Sequence, residues 1–395
     1  GTKNMRAWYF TEMPYPYLPP MDSLSSIRVN LPNKHFDPKI GAELYNRYLD
    51  EHMIADEAGL DLMVNEHHQT ATCIDTCAPL SLAILARQTK NAQLCILGNP
   101  IANRQDPIRI AEEMAMIDCI SHGRVHAGFV RGVPYEVFGS NANPTETLER
   151  LWGGVDLCVK AWTHTDGPFN FEGKFTQWRA INLWPRPYQT PHPPVWVTGS
   201  SDVESVRKAA SKGYIFATFL QPYENVRMLF DAYRAAYRDN GQPGGGGLAF
   251  MPLLYVAENE ADAEAGAREL TWYLKAKSEP QFRNPPGYAP VAANVAGPRG
   301  ADVRSRTNDA LRQVSLEEQR ELGVVMYGTP DQVAAQIKLE YERIGGFDHL
   351  LMMMQAGHLD HKRTVKNIQM FAREVYPRIK HLKGTAASRQ MLAAE

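Results

Sequence analysis

The chain has 395 residues, 44% of them hydrophobic and 22% charged, and 42 Lys and Arg against 44 Asp and Glu leave a formal net charge of −2. Such a composition belongs to a globular protein with a sizeable core and argues against a basic nucleic-acid binder. No run approaches the roughly 18 to 20 apolar residues of a membrane helix and no signal pattern opens the chain, so the expected location is the cytoplasm, with no membrane partner.

In chain order, apolar runs of strand length recur at 6–10, 60–64, 94–97, 125–129, 195–197, 214–217, 251–256 and 349–353, each followed by a stretch with helical spacing. Strands alternating with helices imply parallel pairing through crossover helices, and eight such units predict an α/β fold, the (β/α)8 TIM barrel, as a single domain over 1–395. The helices carry their own punctuation. Leu44, Tyr45, Tyr48, Leu49, His52 and Met53 form a stripe that stops at Gly59, and Ile108, Ala111, Met114 and Ile117 form another between Pro107 and Gly123. Thr329-Pro330-Asp331 reads as N-cap, first position and acidic first turn of a late helix. Five cysteines with no CxxC pair argue against a disulfide framework, and Cys95, Cys119 and Cys158 are expected in the core.

Two segments are too long for ordinary βα connections, about 15–37 and 279–313, and are expected to be lid insertions where specificity sits. The glycines of 244–247 read as a connector. In a TIM barrel the chemistry belongs at the C-terminal strand ends. Those ends are Asn65-Glu66-His67-His68, Gly98-Asn99-Pro100, Arg131-Gly132, Thr198-Gly199-Ser200-Ser201 and Gln355. Three consecutive strand-end residues do not converge easily on a metal, so Glu66-His67-His68 supplies either a strand-end hydrogen bond or a general acid/base with a near-neutral pKa. Thr198 to Asp202 opens a helix whose free N–H groups suit an anion or merely an N-cap, and Arg131 is a matching cation or a salt-bridge partner.

Several ordered segments resemble the bacterial luciferase-like flavin-dependent monooxygenases. They are Ala58-Gly59-Leu60-Asp61 running into Glu66-His67-His68, Asp106 to Glu113, Asp118 through Gly123-Arg124 to Gly132, Phe138-Gly139, Tyr327-Gly328-Thr329-Pro330, and Phe371-Ala372 to Pro377. The resemblance implies a homodimeric TIM barrel that takes reduced FMN from a separate NAD(P)H:flavin reductase. It also implies reaction with O2 through a C4a-peroxyflavin that oxygenates a small organic substrate. Within it, His67 matches the active-site histidine, Arg131 and Ser200 match flavin-phosphate positions, and Gly98 and Asn99 match the strand end that packs on the isoalloxazine, often through a non-prolyl cis peptide. Luciferases carry an acidic residue where Gly199 stands, a Cys where Val130 stands and an Arg near Thr145 and Glu146, which argues against light emission; Arg104 is the candidate replacement cation.

A reactive flavin oxygen adduct needs a dry pocket, for which Trp8, Phe10, Phe129, Trp196 and Met353 are the candidate walls, favouring neutral or weakly polar substrates. Three alternatives stand beside this reading: a deazaflavin (F420)-dependent oxidoreductase of the same superfamily, a flavin-storing relative without turnover, and a metal-dependent TIM-barrel hydrolase.

Overall fold

A computed structural model describes residues 4–289 and 311–382. Eight parallel strands close on themselves. They are β1 (Arg6–Thr11), β2 (Asp61–Val64), β3 (Leu94–Asn99), β4 (Val125–Phe129), β7 (Val195–Thr198), β8 (Ile215–Phe219), β9 (Gly247–Met251) and β12 (His349–Gln355). The pairing of β12 back onto β1, from Arg6 opposite His349 to Phe10 opposite Met353, completes the ring. Between β4 and β7 an antiparallel hairpin, β5 (Phe169–Glu172) and β6 (Gln177–Ile181), lies outside the barrel. Two more parallel strands, β10 (Leu253–Val256) and β11 (Val325–Gly328), flank it, with Leu253 meeting Met353.

The seventh barrel strand is therefore not the predicted 251–256 but Gly247–Met251. Pro252 lacks the N–H a ladder needs and breaks one apolar run into two strands. Gly244, Gly245 and Gly246 all have positive φ, a turn that only glycine makes without penalty, and they deliver the chain into β9.

Strand parity sorts the core into two layers. Residues facing the helices, such as Tyr9, Leu62, Ile96, Phe129, Val197 and Met352, form the outer layer. Residues facing the barrel axis, Trp8, Phe10, Met63, Leu97, Trp196, Met251 and Met353 among them, form the inner one. Phe129, expected as a pocket wall, belongs to the outer layer and packs near Trp162 with ring centroids 6.3 Å apart. At the lower end of the barrel Trp8 Nε1 donates to His349 Nδ1 at 3.1 Å and Trp196 Nε1 donates to His126 Nδ1 at 3.0 Å.

The first helix, α1, spans Pro38–Glu57 with Asp37 accepting from Lys39 N, and the chain leaves it through Gly59 at φ +89°. The helices α2 (Ala78–Gln88) and α3 (Pro107–Ile120) follow β2 and β3. The late helix Pro330–Ile344 starts as predicted, with Thr329 and Gln332 forming a reciprocal capping box. All five cysteines are free; Cys95 and Cys158 are buried, but Cys119 is exposed on α3, with its thiol donating to Arg186 O at 3.3 Å. The first insertion carries two short 3-10 turns, Met21–Ser23 and Asn33–His35. Most of the second predicted insertion, residues 290–310, lies outside the described residues. No helix among the described residues is long and apolar enough to cross a membrane.

Candidate active site

The C-terminal strand ends define the mouth, and β2 runs straight into Asn65-Glu66-His67-His68. The two histidines go to different partners. His68 Nε2 lies 2.9 Å from Glu66 Oε2, and the same carboxylate holds Arg104 and caps the start of α2 by accepting from Ala78 N at 3.1 Å. His67 instead sits between two buried carboxylates, its Nε2 3.9 Å from Glu12 Oε2 and its Nδ1 3.6 Å from Glu136 Oε1. Tyr135 Oη lies 3.4 Å from the same Nδ1.

Glu12 is the first residue past β1, and the Asn65 amide donates to its Oε1 at 3.0 Å; its Oε2 is buried without a hydrogen-bond partner. Burial pulls the His67 pKa down, but the charge and hydrogen bond of Glu136 and the charge of Glu12 outweigh it, so the pKa is raised. Burial also raises the Glu12 carboxyl, against the opposing pull of His67 and Asn65. The result is an imidazole that readily holds a proton at the rim of a barrel.

The other candidate residues follow along one arc of the rim, since β2, β3, β4 and β7 are consecutive neighbours. The Leu97–Gly98 peptide is cis. A Cβ on Gly98 would stand 3.0 Å from the Gly128 carbonyl and from Val130 Cγ1, so a side chain there would press on the β4 backbone. Asn99 is buried, with its amide donating to Gly128 O at 2.9 Å, so its side chain ties β3 to β4. Arg131 donates from Nε to Thr147 Oγ1 at 2.8 Å and lies flat against Tyr288, Cζ 3.7 Å from the ring centroid. Tyr288 returns a bond from Oη to Gly132 O at 2.6 Å. Past β7, Gly199 N donates to Ala217 O, and Ser200 O accepts from Gln221 Nε2. The next helix, Val203–Ser211, is capped by Asp202 rather than by a serine. Gln355 is fully buried, donating to Leu359 O and Thr364 Oγ1, which makes it a structural brace rather than a rim group.

Sequence reasoning missed Glu12, Arg28, Tyr135 and Glu136. Glu12 carried a signal, a lone carboxylate directly after an apolar strand; Arg28 and Tyr135 reach the mouth from loops and Glu136 from the start of a four-residue helix, with none. The half-buried Arg28, from the first insertion, places Cζ 4.7 Å over the Tyr135 ring. The mouth is thus lined by charge where an apolar wall was expected; the apolar residues lie beneath it in the inner layer. Beside the mouth a cavity of about 440 Å³ is bordered by His68, Gln69, Asn103, Arg104 and Gly139. No group of three His, Cys, Asp or Glu side chains converges as a metal-ligand set among the described residues.

Residues 29–347 match the family model described as Luciferase-like monooxygenase. A flavin-dependent trigonelline monooxygenase oxygenase component from Acinetobacter baylyi is 29% identical over 243 residues, 59% of this chain and 65% of that protein. The chain therefore spans less than two thirds of that relative. An FMNH2-dependent dimethylsulfone monooxygenase from Pseudomonas putida is 25% identical over 356 residues, 86% of this chain and 88% of that protein. Among solved structures, the oxygenating constituent of 3,6-diketocamphane monooxygenase from Pseudomonas putida, in complex with FMN, superposes with a TM-score of 0.70 at 18% identity, covering 95% of this chain and 99% of that one. An F420-dependent secondary alcohol dehydrogenase reaches a TM-score of 0.66 at 17% identity over 95% and 99%. At those identities the likeness concerns the barrel alone.

Proposed function

The chain belongs to the luciferase-like monooxygenase family, and from that premise we propose that it is the oxygenase of a two-component system, using reduced FMN and O2 to oxygenate a small organic molecule. The observation that carries the reading is His67, held between Glu12 and Glu136 at the mouth of the barrel.

The residues present fit a flavin. Gly98 leaves the β3 end bare where a Cβ would collide with β4. Asn103 Oδ1 is a buried polar atom without a hydrogen-bond partner among the described residues, and Asn103 borders the 440 Å³ cavity. Gly98 and Asn99 would carry the ring, while Arg131, Gly199, Ser200 and Arg104 would hold the phosphate. Bound reduced FMN would supply the two electrons that activate O2. The chain's own part is positional and protonic. His67 stores a proton beside the reacting centre, its pKa raised by Glu136 and Glu12 against the effect of burial. Phe10, Leu97, Met251 and Met353 close the barrel beneath it and keep water out from below. Tyr288 covers Arg131 from the second insertion.

The reading includes a separate NAD(P)H:flavin reductase as electron source, a reducing cytoplasm in keeping with five free thiols, and a homodimer. The exposed apolar side chains Leu80 and Ile84 of α2 and Met116 of α3 are the face on which a second copy would bury area. The deciding measurement is rapid mixing of protein and anaerobically reduced FMN with oxygenated buffer. A transient absorbance unlike that of reduced or oxidised FMN, outlasting free-flavin reoxidation, is the expected result. Reoxidation as fast as in free solution would refute it. The F420-dependent neighbour supports one second reading, hydride transfer with a deazaflavin, and parallel titration with FMN and F420 separates the two.

A further inference from the structure

The first insertion does more than cover the barrel, because it delivers one cation to the mouth and holds it there. Val29 N donates to Gln69 O at 2.7 Å, Ala71 N to Ile27 O at 3.2 Å and Ile27 N to Lys277 O at 3.1 Å. Ser26 Oγ adds a bond to Arg28 O at 2.7 Å, and Arg28 bridges Thr70 across an antiparallel contact. Val29 and Gln69 sit at φ +69° and +56°, a region that costs a β-branched residue such as valine about 1 to 3 kcal/mol. The surrounding bonds hold that strained backbone in place, and its product is the position of Arg28.

The side chain so placed is unpaired. Arg28 Nε is sealed from solvent and meets no acceptor, and the guanidinium makes no ion pair within 4.0 Å among the described residues. Its contact is the face of Tyr135, whose hydroxyl adjoins His67. The nearby carboxylates Glu12 and Glu136 act on the guanidinium only at a distance: Glu12 Oε1 bonds Asn65 while its Oε2 stays without a partner, and Glu136 faces His67 and the backbone N–H of His68. A buried donor without an acceptor costs about 1 to 3 kcal/mol, a cost that disappears when a ligand supplies the acceptor. A planar guanidinium resting on an aromatic face, with its fork unused, is suited to a carboxylate, which accepts two parallel N–H bonds.

We propose that Arg28 is the specificity-determining residue of the substrate site and that the molecule oxygenated beside His67 carries a carboxylate. The inference rests on the reading of this mouth as the substrate site. It replaces the neutral, apolar substrate class with an anionic one, whose organic body lies against Tyr135 and the inner layer. The anion that Arg28 binds has one rival source, the phosphate of FMN, and the test separates the two.

The experiment titrates FMN-loaded protein, by calorimetry in the oxidised state, with matched pairs of small molecules: benzoate against benzamide and hexanoate against hexanamide. At least one carboxylate is expected to bind about tenfold or more tighter than its amide, the discrimination of a site built for a charge-assisted bond. Arg28→Gln erases that preference, while the FMN dissociation constant and the melting temperature stay at their parent values. Arg28→Lys, which keeps the charge without the fork, retains part of it and carries the test if the glutamine variant fails to fold. No preference in the parent protein, or a preference that survives Arg28→Gln, overturns the proposal, as does a loss of FMN affinity with the preference intact. Failure of the monooxygenase reading registers separately, as absent FMN binding, and the carboxylate pairs can then be titrated against the flavin-free protein.

Discussion

Acid should loosen the lower end of the barrel through two histidines that must stay neutral. His126 Nδ1 accepts from Trp196 Nε1 and His349 Nδ1 accepts from Trp8 Nε1, so a proton on either nitrogen replaces an acceptor with a second donor. Burial lowers the pKa of His126 from its ordinary value of 6.5 to about 3, helped by the charge of Arg6, and burial, His126 and Arg6 push His349 well below its ordinary value. At these two sites the folded state therefore binds fewer protons than the unfolded chain below pH 6.5, so their contribution to stability rises with pH from about 3 to 6.5 and is flat above. It is opposed over the same range by Asp75, whose carboxyl pKa is raised by burial to about 7. Over that window His126 contributes a slope of about 1.4 kcal/mol per pH unit, so moving from about pH 7.5 to pH 5 costs about 2 kcal/mol, and His349 adds in the same direction. Urea unfolding across this range measures it. The double variant His126→Asn/His349→Asn keeps an acceptor oxygen near each indole but cannot titrate. It should be about 1 to 3 kcal/mol less stable near neutrality, from lost volume, with a visibly flatter pH dependence. A pH dependence in that variant identical to the parent's would refute the argument.

Three further outcomes follow from the mouth. His67→Ala should lose oxygenated product by about 100-fold or more while binding FMN as the parent does, read by product formation and flavin fluorescence quenching. Glu136→Gln removes the leading influence that raises the His67 pKa, so the imidazole limb of the kcat/KM pH profile should move to lower pH; a profile that stays in place would separate Glu136 from the proton. Gly98→Ala forces a Cβ to 3.0 Å from a backbone carbonyl of β4 and should cost about 1 to 3 kcal/mol together with much of the FMN affinity, checked by melting temperature and equilibrium dialysis.

The barrel was legible because its signals are local and repeated. Seven of the eight predicted strand runs coincide with barrel strands, since a strand buried on both faces must be apolar throughout. The eighth, 251–256, was misplaced because periodicity cannot say which of two adjacent apolar strands enters the ring when a proline divides them. The hairpin of β5 and β6 escaped notice because about half its residues are exposed and only Phe169 and Ile181, at its ends, are buried apolar residues. The apolar neighbours of Cys119 in sequence suggest a core thiol, yet the buried face of α3 runs through Ile110, Ala111, Met114, Ala115, Ile117 and Asp118, which leaves position 119 outward.

The mouth was legible only along the strands. His67, Gly98, Arg131 and Ser200 stand at or just past strand ends, where the barrel geometry itself points to chemistry. The groups that set their behaviour come from elsewhere in the chain: Glu136 lies 69 positions after His67, Glu12 lies 55 before it, and Arg28 arrives on an insertion held by an isolated bridge to Thr70. No periodicity records such meetings, because a loop residue's neighbours are decided by backbone hydrogen bonds such as Val29 to Gln69 rather than by the pattern of the loop itself. This is why an apolar substrate seemed natural from the strand residues alone. Trp8, Phe10, Trp196 and Met353 do face inward, but Trp8 and Trp196 bond to histidines at the lower end, while Glu12, Arg28 and Glu136 surround His67 above. The strands thus account for the apolar floor beneath the mouth and the loops for its charge, and the selectivity proposed for Arg28 would reside in the part whose pattern is least regular.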